Sequence, residues 1–195
     1  MKLYMFLGFV LALIFSVTFV GVTPPTDDFN PENPGWNGMS IAKAELNLQP
    51  VSIGNIGRLD PSSSALLIIG PSKPITDGEA ESIKSYVSRG GFLILADDFG
   101  TGNSLLEKLG VKFRLSGNLL MDPLFKERGE VLPKIVKLEG GFVPHARELV
   151  LNYATTIEGS SFRVLAYSSS FSYLDLSLNF KHDAGEPKRT IPRNS

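Results

Sequence analysis

Hydrophobic and polar positions divide the chain into three regimes. From Leu3 to Val22 twenty residues pass without a charge, between Lys2 and a proline-rich stretch. From Ala65 to Leu115 short apolar runs alternate with amphipathic segments, and beyond residue 116 a weaker alternation is interrupted by Pro, Gly and Ser. At 1.5 Å rise per residue, a twenty-residue helix spans about 30 Å, the thickness of a bilayer's hydrocarbon core. The first regime therefore predicts one N-terminal transmembrane helix within 1–23, acting as a signal-anchor. A cleaved signal peptide is the other reading, although the run exceeds the usual apolar region of about 7–15 residues and Phe19 to Thr23 make a poor cleavage site. No cation lies between Lys2 and Lys43, so the positive-inside bias keeps the N-terminus cytoplasmic. Residues 24–195 are then expected on the extracytoplasmic side, tethered to the cell membrane or secreted after cleavage.

In the second regime, Ala65 to Gly70 is a continuous apolar run of the kind that makes a strand buried on both faces. Thr76 and Glu79 have capping-box spacing, and Ala80, Ile83, Tyr86 and Val87 share one face, predicting a helix through Arg89. Gly90-Gly91 ends it, because glycine enters the left-handed conformation without a Cβ penalty. Phe92 to Ala96 predicts a second buried strand. A turn from Asp97 to Asn103, a short helix carrying Leu105, Leu106 and Leu109, and a strand from Val111 to Leu115 complete a β-α-β-α-β unit. That order implies a parallel sheet. A helix over 39–48 and a strand over 51–56 are expected upstream. Downstream, strands are expected near 131–138, 149–157 and 162–168, with a loop and one edge strand over 168–183.

Composition narrows the chemistry. The 195 residues carry a net charge of −1 and no cysteine. No basic face is available for nucleic acid, and disulfides, thiolate metal sites and a cysteine nucleophile are excluded. There is no Gly-x-Ser-x-Gly elbow and no P-loop, since Gly100-Thr101-Gly102 lacks the spacing and the lysine. No cofactor motif and no defined metal-ligand set stand out, and no catalytic constellation is convincing.

Two segments are candidate binding sites. Asp97, Asp98, Gly100, Thr101, Gly102 and Asn103 lie at the carboxyl end of an expected parallel strand, where open α/β sheets take their ligands. Their glycines let a ligand approach the backbone, and the following helix offers N–H groups. The competing reading is structural: the Asp side chains organise a tight turn and Asn103 caps the helix. In the stretch 23–38, rich in Pro and Asn, Trp36 and Asn37 form an aromatic-plus-amide pair. That pair could line a polar pocket, or the segment could fold back with Trp36 packed. His145 falls in a turn, and His182 neighbours Asp183 and Glu186 in a charged tail.

The segments NPENPGWNGMS at 30–40, YVSRGGFLILADDFGTGNSLLEKLGVKF at 86–113 and HDAGEP at 182–187 resemble the DUF4350 family. Archaeal members show this arrangement behind an N-terminal membrane segment. The resemblance implies a class I glutamine amidotransferase-like fold, a three-layer α/β/α sandwich with a mostly parallel sheet. It implies no reaction, since the family has no established activity, and the absence of cysteine removes the amidotransferase-type nucleophile. Family members continue past the HDAGEP-like stretch, so the sandwich is expected to lack its last strand and helix. The combined expectation is a membrane-anchored, non-catalytic binding or scaffolding module of an envelope or transport-associated assembly, with a protein partner. The other class is a metal-dependent hydrolase using Asp97 or Asp98 with His182.

Overall fold

A computed structural model describes residues 4–13, 24–139 and 148–188. The chain divides into two compact units, 1–51 and 52–195. In the first unit, helix α1 is described over 4–13 and helix α2 covers Ser40–Glu45. Among the described residues no helix is long and apolar enough to cross a membrane, so the expected transmembrane helix is not part of the observed fold. Residues 14–23 of that expectation lie outside the described residues.

The second unit opens with a 3-10 helix, Ile53–Arg58, where a strand was expected. Gly54 and Gly57 deprive that segment of the side chains that stiffen a strand, and Ile56 is buried by the tighter coil instead. Strand β1 (Ala65–Ile69), helix α3 (Asp77–Ser88) and strand β2 (Phe92–Ala96) follow as the pattern predicts. β1 and β2 are parallel, in register from Ala65↔Phe92 to Ile69↔Ala96. The Thr76 backbone N–H and hydroxyl both donate to Glu79 Oε2 at 2.8 Å, which holds the Glu79 carboxyl below its ordinary range. Gly90 (φ 94°) closes the helix in the left-handed region. Gly91 lies flat against the Tyr86 ring, where an added Cβ would stand 2.4 Å from a ring carbon. The core gathers Ile56, Leu66, Ala80, Ile83, Tyr86 and Leu105 on one face of this sheet.

The rest departs from a three-layer sandwich. Helix α4 (Asn103–Lys108) follows β2, but strand β3 (Phe113–Leu115) does not join the parallel pair. It pairs antiparallel with β8 (Ile157–Gly159). The reason is local: Asn103 Nδ2 donates to the Leu115 carbonyl at 2.8 Å and Asn103 Oδ1 accepts from the Leu115 N–H at 2.9 Å. One amide side chain thus fills the ladder position that a neighbouring strand would take. On the far face of the parallel pair no described residue covers Phe92, at 65% exposure, or Ile94, at 43%. The strands expected to be buried on both faces are buried on one.

Beyond β3 the described chain has no helix long enough for another parallel crossover, so the remaining pairs are antiparallel. β4 (Leu119–Met121) pairs with β10 (Tyr173–Asp175), β5 (Lys134–Ile135) with β7 (Leu149–Val150), and β6 (Lys137–Leu138) with β9 (Ala166–Tyr167). Leu119, Met121 and Tyr173 make a second small core with Val131 and Tyr153. Among the described residues the mostly parallel α/β/α sandwich is therefore replaced by one parallel pair with a helical cover and four short antiparallel pairs.

Candidate functional site

The turn from Asp97 to Asn103 is built from its own hydrogen bonds. Asp97 Oδ1 accepts from the Phe99 N–H at 3.1 Å, and Oδ2 accepts from the Gly102 N–H at 2.6 Å. Gly100 takes φ 80°, and a Cβ there would press on Gly117. At Gly102 a Cβ would meet the Leu95 side chain at 2.9 Å. The Thr101 carbonyl accepts from Ser104 Oγ at 3.1 Å, and Asp98 is half-buried. Asn103 is the first residue of α4 and directs its amide to β3 rather than capping the helix. Both glycines serve backbone approach within the chain, and the Asp97 acceptors face backbone donors.

The Trp36–Asn37 pair is separated by the structure. Asn33, buried at 2% exposure, is the hub of the loop. Its Nδ2 donates to the Asp27 carbonyl at 2.9 Å and to Asn37 Oδ1 at 3.0 Å, while its Oδ1 accepts from the Gly35 N–H at 2.7 Å. Asn37 Nδ2 donates in turn to Asp28 Oδ1 and to the Thr26 carbonyl. The Asn37 amide is consumed in this knot, and Trp36 stands outward at 80% exposure. The loop satisfies its polar groups around Asn33 and not around the indole.

None of these residues lines the open groove formed elsewhere in the second unit. That groove, of about 710 Å³, lies between the turn after β4 and the segment that follows β9. Pro123, Leu124 and Glu130 form one wall. Phe171, Tyr173, Phe180, Lys181, His182 and Lys188 form the other. The first wall is shaped by Asp122, which is fully buried: its Oδ1 accepts from the N–H groups of Leu124 (2.9 Å) and Phe125 (2.8 Å), and its Oδ2 accepts from the Ser169 hydroxyl. The Phe125 and Phe171 rings stack at 6.1 Å, joining the walls.

At the groove floor the Tyr173 hydroxyl donates to Glu130 Oε2 at 3.0 Å, and Lys126 pairs with Glu130 Oε1 at 3.3 Å. The His182 ring meets Tyr173 edge-on at 4.7 Å between centroids. Burial, then the Glu130 carboxylate, raises the Tyr173 phenol well above its ordinary range. A raised pKa means that the neutral phenol is favoured in the fold. Its contribution to stability is complete below the ordinary phenol pKa of about 10 and is lost as pH rises above it. Ultraviolet titration is thus expected to show a phenol contribution that appears only with alkaline unfolding and that Tyr173→Phe diminishes.

Of Asp97, Asp98 and His182, only His182 lines the groove. Among the described residues no group of three or more His, Asp or Glu stands ready to hold a metal ion as arranged. His145 lies outside the described residues. The groove was missed in sequence because its walls are about fifty residues apart, and its rings and lysines sit in a stretch read as loop.

The fold and groove define a small mixed α/β domain with an aromatic, cation-rimmed cleft. The chain belongs to the DUF4350 family, a domain of unknown function whose model matches residues 31–186. No curated protein and no solved structure matches it.

Proposed function

We propose that the chain is a non-catalytic binding module whose groove takes a peptide segment of a protein partner, one that sets an apolar side chain beside acidic residues. The carrying observation is the imbalance of the groove lining. Phe171 and Phe180 are about half exposed and Leu124 is 63% exposed, so apolar side chains are presented along the groove. Glu130 is engaged by Tyr173 and Lys126, whereas Lys181 and Lys188 form no ion pair among the described residues. A volume near 700 Å³ suits a few side chains, within the range of about 300–1,000 Å³ typical of ligand clefts. The uncharged run 3–22 supports delivery of the domain to the extracytoplasmic side, and the motif order supports placing the chain among archaeal members of the family.

Selection of a displayed peptide library on the chain tests this reading. Peptides placing Asp or Glu next to Phe or Leu are expected to be enriched, and the double variant Lys181→Glu, Lys188→Glu is expected to invert the charge preference. No enrichment, or an acidic consensus that survives the charge reversal, would contradict the proposal.

A further inference from the structure

The chain has two histidines, and His182 lines the groove. Its ring stands edge-on to the buried Tyr173, with centroids 4.7 Å apart and planes 85° to each other. The segment that carries it is held from both ends. Asp175, fully buried, accepts from the Asn179 N–H at 3.2 Å and the Phe180 N–H at 2.7 Å. Glu186, also buried, accepts from the N–H groups of Leu176 and Asp183, each at 2.9 Å. His182 lies between these anchors, so its backbone is in place before a ligand arrives, which lowers the ordering cost of binding.

The groups around the imidazole decide what it can bind. From β10 comes the Tyr173 phenol, and from the turn after β4 comes Glu130, whose two oxygens take the Tyr173 hydroxyl and the Lys126 ammonium. On its own segment Lys181 and Lys188 line the same groove. The neighbouring Asp183 turns its Oδ2 to Ser177 Oγ at 3.1 Å and Asn179 Nδ2 at 2.8 Å, and Glu186 is engaged by the backbone donors named above. Among the described residues no carboxylate forms an ion pair with His182, and neither of its ring nitrogens has a hydrogen-bond partner. The ring is held by aromatic packing, and both nitrogens are available to a ligand in the groove.

We propose, on the footing of the peptide reading of this groove, that His182 hydrogen-bonds the acidic side chain of the ligand and that its protonation tightens the complex as pH falls from 8 to 6. Lysine and carboxylate side chains ordinarily keep their charge over that window, whereas imidazole changes its own. A neutral imidazole offers a carboxylate one N–H. An imidazolium offers a charge-assisted bond, roughly twice as strong. The carboxylate of the ligand favours the protonated ring, so the added affinity is complete below the ordinary imidazole pKa of about 6.5 and is lost as pH rises above it. Lys181 and Lys188 then supply attraction that does not vary with pH, and His182 supplies the part that does.

The test is calorimetric titration of the full chain at pH 6, 7 and 8 with the acidic–apolar peptide most enriched by display selection at pH 8. Kd is expected to be about fivefold lower at pH 6 than at pH 8. His182→Gln keeps a neutral donor and should hold the pH 8 affinity across the series. The same peptide with Asn or Gln in place of its acid should bind the unmodified chain without pH dependence. Proton NMR of the His182 ring should show the acidic peptide moving its protonation midpoint upward and the amide peptide leaving it in place. A Kd that is flat across the three pH values would overturn the proposal while leaving the peptide reading intact, as would a pH dependence that His182→Gln retains. Should selection enrich no peptide, both fall together.

Discussion

Ile83→Ala is expected to destabilise the protein by about 2–5 kcal/mol, the range for truncating a fully buried aliphatic side chain. Ile83 has no exposed surface and lies on the inner face of α3, within the cluster formed by Ile56, Leu66 and Leu105. Among the described residues the sheet beneath is two strands wide and leaves Phe92 and Ile94 exposed on its far face, so few neighbours are free to collapse into the cavity. At roughly 2–4 °C per kcal/mol for a domain of this size, Tm should fall by about 4–20 °C. Val136→Ala, at an exposed position, should stay within about 0.5 kcal/mol. Thermal or urea unfolding of the two variants side by side checks the contrast.

Asp122→Ala should have a comparable effect on stability and a larger one on binding. It strips the acceptor from the Leu124 and Phe125 N–H groups and from the Ser169 hydroxyl, at a cost of about 3 kcal/mol for a buried charge-assisted set. Those bonds hold the turn that brings Pro123 and Leu124 into the groove, so peptide binding should be lost even where the remaining fold persists. Asp122→Asn keeps one carbonyl oxygen for the two N–H groups and should retain more of both properties. Ile83→Ala, by contrast, should weaken the fold and leave the affinity of the folded fraction unchanged. Binding measured at a temperature where each variant is folded separates the two effects.

The region 65–108 was legible because its information is local. Apolar runs of strand length, the Thr76–Glu79 spacing and the Gly90-Gly91 stop each act within a turn or two of the chain, and β1, α3 and β2 followed from them. What misled was the step from a β-α-β-α-β order to a parallel sandwich. That step assumes every strand edge meets another strand, whereas the Asn103 side chain meets the edge of β3. Downstream, pairing rests on segments of two or three residues joined across long separations, and hydrophobic period carries little signal at that length. Tyr173 joins Met121 across 52 positions, so no window of sequence shows them as one core. In the loop around Trp36 the hub is the amide of Asn33, a network of single hydrogen bonds that leaves no periodic signal in the sequence.

Hydrogen–deuterium exchange of the full chain with and without a selected acidic–apolar peptide tests the central claim, that the groove is where this protein meets its partner. Protection is expected in residues 122–130 and 170–188 and nowhere else of comparable size. Protection confined instead to 97–103 or to 33–38, with the groove walls unchanged, would contradict the account and return the binding site to the turn after β2 or to the Trp36 loop.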